Sequence, residues 1–411
     1  MGAASASFIE PDRNPRGSTS YGQAFEDYLV AMREHSKPNV RTMMFDKLIE
    51  GERLRGRPIT RDLPWGVPVP EKDLDGQPLG DVSGKVLYVW FDAPIGYVSA
   101  TIEWARDLRK QPELWRRYWI VREGQPAPRL VHFIGKDNIP FHTIVFPAML
   151  AGQGAPKPGD KLPDGRPLLG PREGERWTLP EAVPANEFYN LEGRKFSTSD
   201  NWMLDIPHMF EVFGVDALRW YITTSMPETA DSQFTFAGLQ AAVNAELCDT
   251  LGNYAARTLK FTAQHLGGRV PEGALAPATR ARIDQAFQEV GAAIDHCEFR
   301  RATQAITDFG RWGNKLFDEH APWKTRKTDL AACGRQIHEH VQCIAALAVL
   351  LAPFVPGASK RLRKMLALPE ATNWLFGPLP VGHALGDPGI LFSKIPDEVV
   401  ERERAALGAK G

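Results

Sequence analysis

Three short stretches carry residue types that can do chemistry together. The first is Trp90-Phe-Asp-Ala93-Pro94-Ile-Gly96-Tyr97. Trp90 and Tyr97 can wall a recess, with Pro94 and Gly96 shaping the turn. An aromatic wall suits a flexible apolar ligand, and sulfur–aromatic contact favours a thioether. The second is His132-Phe-Ile-Gly135-Lys136-Asp137, followed by Phe141-His142. Gly135 lets a ligand approach the backbone, and Asp137 can accept hydrogen bonds from a ribose or an ammonium group. The helix start behind them offers unpaired N–H groups to an anion. The third is Asn190-Leu-Glu-Gly193-Arg194-Lys195-Phe196-Ser197-Thr198-Ser199, a glycine followed by two cations and three hydroxyls. Such a loop grips phosphate. In adenylyl transfer, charge builds on a pentavalent α-phosphate and on leaving pyrophosphate, and donors that reach them only in the transition state lower the barrier. Each stretch alone has a plainer reading: Trp90 as core, Asp137 as a helix cap with His142 a satisfied polar residue, and 193–199 as a polar surface turn.

The surrounding pattern must position these residues. Lys85-Val-Leu-Tyr-Val-Trp-Phe-Asp92 and Leu130-Val-His-Phe-Ile-Gly135 are apolar on both alternating faces, which predicts strands buried on both sides. A helix is expected from about Phe141 to Leu150, and a third strand at Glu187–Asn190. Strand, helix and long crossovers predict a parallel α/β layer, where ligands bind beyond the carboxyl ends of the strands. Residues 1–20 are small and polar and read as disordered. Phe25, Tyr28, Leu29 and Met32 share a helical face, the Gly/Pro/Asp-rich stretch 56–84 reads as loop or short extended pieces, and 151–176 reads as loop.

From about 205 onward the pattern is helical. Leu239, Val243, Leu247, Leu251, Ala255 and Leu259 recur every four residues, and further amphipathic stretches cover about 280–298, 300–318 and 334–351. Short connections predict an antiparallel bundle. Asn253 and Arg257, spaced i,i+4, share a face turned away from that core. Asp318-Glu-His-Ala-Pro322-Trp323 supplies an aromatic at a helix end. Single-stranded bases are read by stacking on aromatics and by hydrogen bonds to splayed edges.

Composition narrows the classes. A chain of 411 residues, 43% apolar and 24% charged, is ordinary globular material for two or three domains. Lys and Arg number 49 against 50 Asp and Glu, which excludes a general nucleic-acid coat protein. Residues 237–365 hold 17 basic and 12 acidic residues, a net of +5 that leaves −6 for the rest. The four cysteines form no C-x-x-C pair, so neither a zinc knuckle nor a disulfide framework is indicated, and packed thiols of a cytoplasmic protein are expected. The longest apolar run, Cys343–Val355, is too short and Pro-broken to span a bilayer, and the N-terminus does not read as a signal peptide.

Taken together, the three stretches in this order resemble the methionyl-tRNA synthetases, class I aminoacyl-tRNA synthetases. Ile59-Thr-Arg-Asp-Leu-Pro-Trp-Gly-Val-Pro-Val-Pro70 resembles the segment that joins the family's connective insertion to the second half of its catalytic domain. The likeness runs from about residue 21 to the end. It implies an α/β plus all-α chain: a remnant of the insertion at 21–80, the second half of a Rossmann-like nucleotide-binding domain at 81–236, a helical anticodon-binding domain at 237–370, and an extension at 371–411 packing back. It implies a methionine pocket of Trp90, Ala93, Pro94, Tyr97 and His142, adenylate contacts from Gly135 and Asp137, and a mobile KMSKS-type loop at Lys195, Phe196, Ser197, Thr198 and Ser199. Asn253, Arg257 and Trp323 resemble the family's readers of the CAU anticodon. The implied substrates are methionine, ATP with Mg2+ and tRNA(Met).

The chain departs from the family pattern in three places. A His-x-Gly-His signature is absent, and Val381-Gly-His383-Ala-Leu-Gly386 lacks its context. The cysteine count excludes the zinc-bearing part of the insertion. Thr198 stands at the loop's usual second lysine, and Asp200 places negative charge near the expected phosphate path unless a cation pairs it. Two states are therefore expected: the C-terminal piece of a ligase completed by a separate N-terminal half, or a truncated relative that binds tRNA without activating methionine. A synthetase for another aliphatic amino acid shares the loop and bundle, but the Trp90–Tyr97 arrangement argues against it.

Overall fold

A computed structural model describes residues 20–51, 60–72, 76–153, 169–370 and 373–408. The expected disorder at 1–19 and most of the loop at 151–176, namely 154–168, lie outside the described residues. The chain divides into two compact units, Met1–Glu187 and Phe188–Gly411.

In the first unit, helix α1 (Ser20–His35) sends Tyr28 and Met32 into a core with Met44, Phe45, Ile144 and Val183. Phe25 and Leu29 pack against that core, so the helical face read from spacing is the packed one. The strands are short: β1 (Thr60–Asp62), β2 (Lys85–Leu87), β3 (Ile120–Val121), β4 (Ile134–Gly135), β5 (Arg176–Trp177) and β6 (Ala185–Asn186). β1 pairs antiparallel with β2, and β3 with β5. β4 and β6 run parallel, and the pairing reaches back to a bridge between Val131 and Ala182. That is the parallel layer expected at the second stretch.

The first stretch behaves differently. The strand predicted over 85–92 ends at Leu87, and Val89–Asp92 forms one helical turn that leads into helix α2 (Gly96–Glu103). The ladder between β1 and β2 is three residue pairs long. Beyond it the backbone takes its hydrogen bonds locally. Trp90 is 47% exposed, so the run is not buried on both faces. Helix α3 (Phe146–Gln153), with the helical turns at Phe141–Val145 before it, fills the helix predicted from Phe141.

In the second unit, β7 (Tyr189–Leu191) and β8 (Ser232–Phe234) run parallel, joined through helices α4 (Ile206–Phe213) and α5 (Val215–Thr224). Helices α6 (Phe236–Ala241) and α7 (Asn253–His265) are one continuous run with a wider π-type segment, Ala242–Gly252, between them. Leu239, Val243, Leu247, Leu251, Ala255 and Leu259 are all buried in one cluster. A four-residue repeat drifts off one face of an α-helix with 3.6 residues per turn; the wider turns carry it back. Next come α8 (Pro277–Asp295), α9 (Phe299–His320), α10 (Pro322–Thr328), α11 (Leu330–Leu350), α12 (Pro356–Met365) and α13 (Asp397–Ala406). α11 lies at the centre, with every residue from His340 to Leu350 buried. Asp329 caps its start by accepting from the Ala332 amide at 2.9 Å. α9 approaches α7 through Gly310 and Gly313, where a Cβ would collide with Leu251 and with the Tyr254 ring.

Candidate functional site

The first two stretches meet in the first unit. Tyr97, at the start of α2, places its ring 5.2 Å from His132, 5.7 Å from His142 and 6.2 Å from Phe146. Trp90 sits 5.8 Å from Phe141, centroid to centroid. The Asn138 carbonyl, a pure acceptor, lies 3.0 Å from His142 Nδ1, so this nitrogen carries the proton. His142 Nε2 is then the acceptor for the Tyr97 hydroxyl at 2.9 Å. His142 is buried while Tyr97 is 46% exposed, so the pair joins the core to the open side of the recess. Pro94 is buried and Ala93 exposed.

His132 is the residue that sequence reasoning left without a role. Its ring is buried, stacks on Phe146 at 5.9 Å and stands 5.3 Å from His142. Its Nδ1 is buried with no hydrogen-bond partner among the described residues. Burial, with His142 nearby, pushes its pKa down to about 4. His132 is therefore neutral at pH 7 among aromatic rings, surroundings that suit an apolar or thioether chain. Gly135 and Asp137, which follow His132 in the chain, are exposed. The Lys136 between them is held by Glu187 at 2.7 Å, and Glu187 also accepts from Asn39 at 3.0 Å. That ion pair fixes the backbone beneath the two exposed positions.

The third stretch belongs to the second unit. Glu192 and Gly193 both have positive φ, 45° and 79°, making the tight turn that leaves β7. Leu191 and Arg194 exchange backbone bonds, as do Ser197 and Trp202, so the loop is a short double-bridged hairpin. Lys195, Thr198 and Ser199 are exposed, and Phe196 is 44% exposed. Ser197 Oγ lies 3.1 Å from Ser199 Oγ and accepts from the Asp200 amide at 3.3 Å. Arg194 supplies the cation that Asp200 requires, at 3.8 Å, while its guanidinium rests 4.3 Å over the Trp202 ring. The negative charge flagged in the sequence is thus partly offset from inside the loop. Glu192 anchors the base, accepting from the Phe236 amide at 2.8 Å and from Arg404 at 2.9 Å.

A further patch lies on α7, α9 and α10, also in the second unit. Asn253 donates to Asn314 at 3.3 Å, and Arg257 donates to Asp318 at 2.6 Å. The Arg257 guanidinium lies 4.2 Å over Phe317 and 5.9 Å from the Trp323 ring, which is 40% exposed. Asn253 and Arg257 lie one turn apart on α7, and Arg257 brings Trp323 beside them. Asn314, Phe317 and Asp318 join them from α9. Their own i,i+3 and i,i+4 spacing was the signal that would have found them.

Among the described residues no group of His, Cys, Asp or Glu is arranged to hold a metal ion. Cys297, Cys333 and Cys343 are buried, and Cys248 is half-buried. No described helix is long and apolar enough to cross a membrane.

Comparison with known proteins gives these sites a family. Residues 18–259 match the model of the tRNA synthetases class I (M), and residues 270–410 match the anticodon binding domain of methionyl tRNA ligase. The methionine–tRNA ligase of Pyrococcus abyssi is 44% identical over 368 residues, covering 89% of this chain and 48% of that protein. That of Salinibacter ruber is 39% identical over 388 residues, covering 86% of this chain and 51% of its own length. A solved structure of Mycobacterium tuberculosis methionyl-tRNA synthetase in complex with methionyl-adenylate superposes with a TM-score of 0.67 at 26% identity, covering 90% of this chain and 67% of that one. The chain spans about half the length of the curated relatives it matches. It carries a class I synthetase catalytic region followed by a helical anticodon-binding domain, and it belongs to the class I tRNA synthetases of the methionine type.

Proposed function

We propose that this chain is the C-terminal working portion of a methionine–tRNA ligase, acting in the cytoplasm. In the reaction, a carboxylate oxygen of methionine attacks the α-phosphorus of ATP. The bond to the β-phosphate oxygen breaks and pyrophosphate leaves with Mg2+, which the nucleotide brings. A terminal ribose hydroxyl of tRNA(Met) then attacks the acyl carbon and releases AMP.

The observation that carries this reading is the cluster of aromatic and imidazole rings around the Tyr97–His142 hydrogen bond. Trp90, Ala93, Pro94, Tyr97 and His142 hold the methionine side chain. They reject shorter aliphatic chains by packing, worth about 1–3 kcal/mol per missing methylene. Gly135 and Asp137 meet the adenylate. Lys195, Phe196, Ser197, Thr198 and Ser199 form the loop whose cation and hydroxyls stabilise the charge that develops on the phosphates. Asn253, Arg257 and Trp323 read the anticodon by stacking and hydrogen bonding. In domain terms, residues 21–80 are the end of the connective insertion and 81–236 the second half of the Rossmann-like domain. Residues 237–370 are an antiparallel helical bundle, and 371–411 an extension packed on it.

Activation calls for an N-terminal half bearing the His-x-Gly-His signature, whether or not it belongs to the same chain. The test is methionine-dependent ATP–pyrophosphate exchange with and without that half. Exchange on mixing supports the reading; none, at concentrations where the two halves bind each other, sinks it. A second reading, tRNA binding without activation, is favoured by the Asn253–Arg257–Trp323 patch being complete within the second unit. It predicts anticodon binding by the chain alone and no exchange under any pairing.

A further inference from the structure

Beneath the Arg257–Trp323 patch lies a buried polar chain that the proposed function does not use. The Tyr254 hydroxyl is 2.9 Å from His340 Nδ1, and His340 Nε2 is 3.1 Å from His320 Nδ1. Tyr254 and His340 have no exposed surface. Three polar rings in a helical core are costly unless each finds its partner. Here they do when the Tyr254 hydroxyl donates to His340 Nδ1 and His340 Nε2–H donates to His320 Nδ1.

We propose that Tyr254, His340 and His320 are positioning residues for the anticodon patch, a hydrogen-bonded tie that fixes α7 and α9 to the central helix α11. This rests on reading that patch as the anticodon site. Tyr254 is the neighbour of Asn253 and sits one turn before Arg257 on α7. His320 is the last residue of α9, two residues past Asp318. Ala321, next in the chain, is left-handed at φ 41° and ψ 56°, and Trp323 follows two residues later. A non-glycine residue there costs about 1–2 kcal/mol and persists only where its surroundings over-determine it. Its own backbone bonds to Phe317, Lys324 and Thr325 hold it, and the His320–His340 bond and the Thr325 hydroxyl, which donates to the His320 carbonyl at 3.0 Å, brace the residue before it. The ring of His340 also lies 4.9 Å from Phe317, the face on which Arg257 rests. An apolar trio would fill the same volume without fixing the relative slide of three helices; a partnered polar network sets a register. Burial pushes the His340 pKa down to about 3, so the tie is uncharged at pH 7 and does not repel Arg257.

The test is binding of the full chain to an anticodon stem–loop RNA bearing CAU and to one with its central base changed, with circular dichroism as the fold control. His340→Phe is expected to lose about tenfold affinity for the CAU loop, about 1.4 kcal/mol. The changed loop should bind as before, so the ratio between the two collapses. His340→Gln, which keeps a donor and an acceptor, should recover most of that ratio, which a purely space-filling role would not. Should His340→Phe fail to fold, His320→Ala at its half-exposed position decides, with the same loss of ratio expected. An unchanged ratio in the folded variant, while Trp323→Ala abolishes discrimination, overturns the tie but not the anticodon reading. If Trp323→Ala changes nothing, the anticodon reading falls and the tie falls with it.

Discussion

The aromatic recess of the first unit and the helical patch of the second are both built from rings and hydrogen bonds, yet their support differs. The recess hangs on two- and three-residue strands, and its buried His132 Nδ1 has no partner among the described residues. The patch stands on helices of 13 and 22 residues, and its buried Tyr254 and His340 are both bonded. An unpaired buried polar nitrogen costs about 1–3 kcal/mol that a partner can recover. A satisfied network stores nothing and instead fixes geometry. The recess is thus poised to be completed, and the patch is already preorganised.

Four experiments break or sharpen this contrast, beginning with the largest effect. If Lys195 acts in the transition state as proposed, Lys195→Ala in the completed ligase should lower kcat for pyrophosphate exchange by about 100- to 1000-fold, with the KM for methionine little changed. Equal effects on both constants would count against the assigned role. Trp323→Ala should weaken binding of the CAU stem–loop by about 1–3 kcal/mol, the worth of one stacked base, without touching exchange. Tyr97→Phe removes the donor to His142 Nε2 and should raise the KM for methionine roughly tenfold, leaving RNA affinity alone. Coupling of either of the last two variants to the other unit's activity would show that the patches are not independent.

The smallest effect sets the two units against each other by pH. His132 and His340 are both held neutral by burial, with pKa values near 4 and 3. Their folded pKa values lie below the unfolded value of about 6.5, so the unfolded chain binds more protons at intermediate pH. The stability each contributes is full above about pH 6.5 and is lost as pH falls through that window. Acid titration followed by thermal melting should therefore lower Tm between pH 6.5 and 4. His132→Phe should flatten that slope with little change at pH 7, since no bond is lost; His340→Phe should flatten it while lowering Tm at pH 7. Identical behaviour of the two would remove the contrast.

Helical positions were legible because their signal is local. The Asn253/Arg257 spacing needs only the helix period to assign its face, whereas the four-residue repeat from Leu239 to Leu259 keeps to one face only through the wider turns at Ala242–Gly252. Tyr97 and His142 were legible as chemistry, but not as a bonded pair, since 45 residues separate them and their contact depends on α2 and the helical turn at 141–145 being brought together. The strand predicted at 85–92 failed for the same reason in reverse. Its apolar run satisfied a pattern, but a strand exists only where a partner supplies the ladder, and β1 supplies three residues of it. The Tyr254–His340–His320 chain, drawn from three helices, left no sequence trace.

By itself, then, the sequence determined the helix faces and the family resemblance, which rest on residues near one another in the chain. Tertiary structure alone decided which rings are neutral, which polar atoms are paired and how far each strand runs. Burial, partner geometry and ladder length are set by residues tens to hundreds of positions away, and no local pattern encodes them.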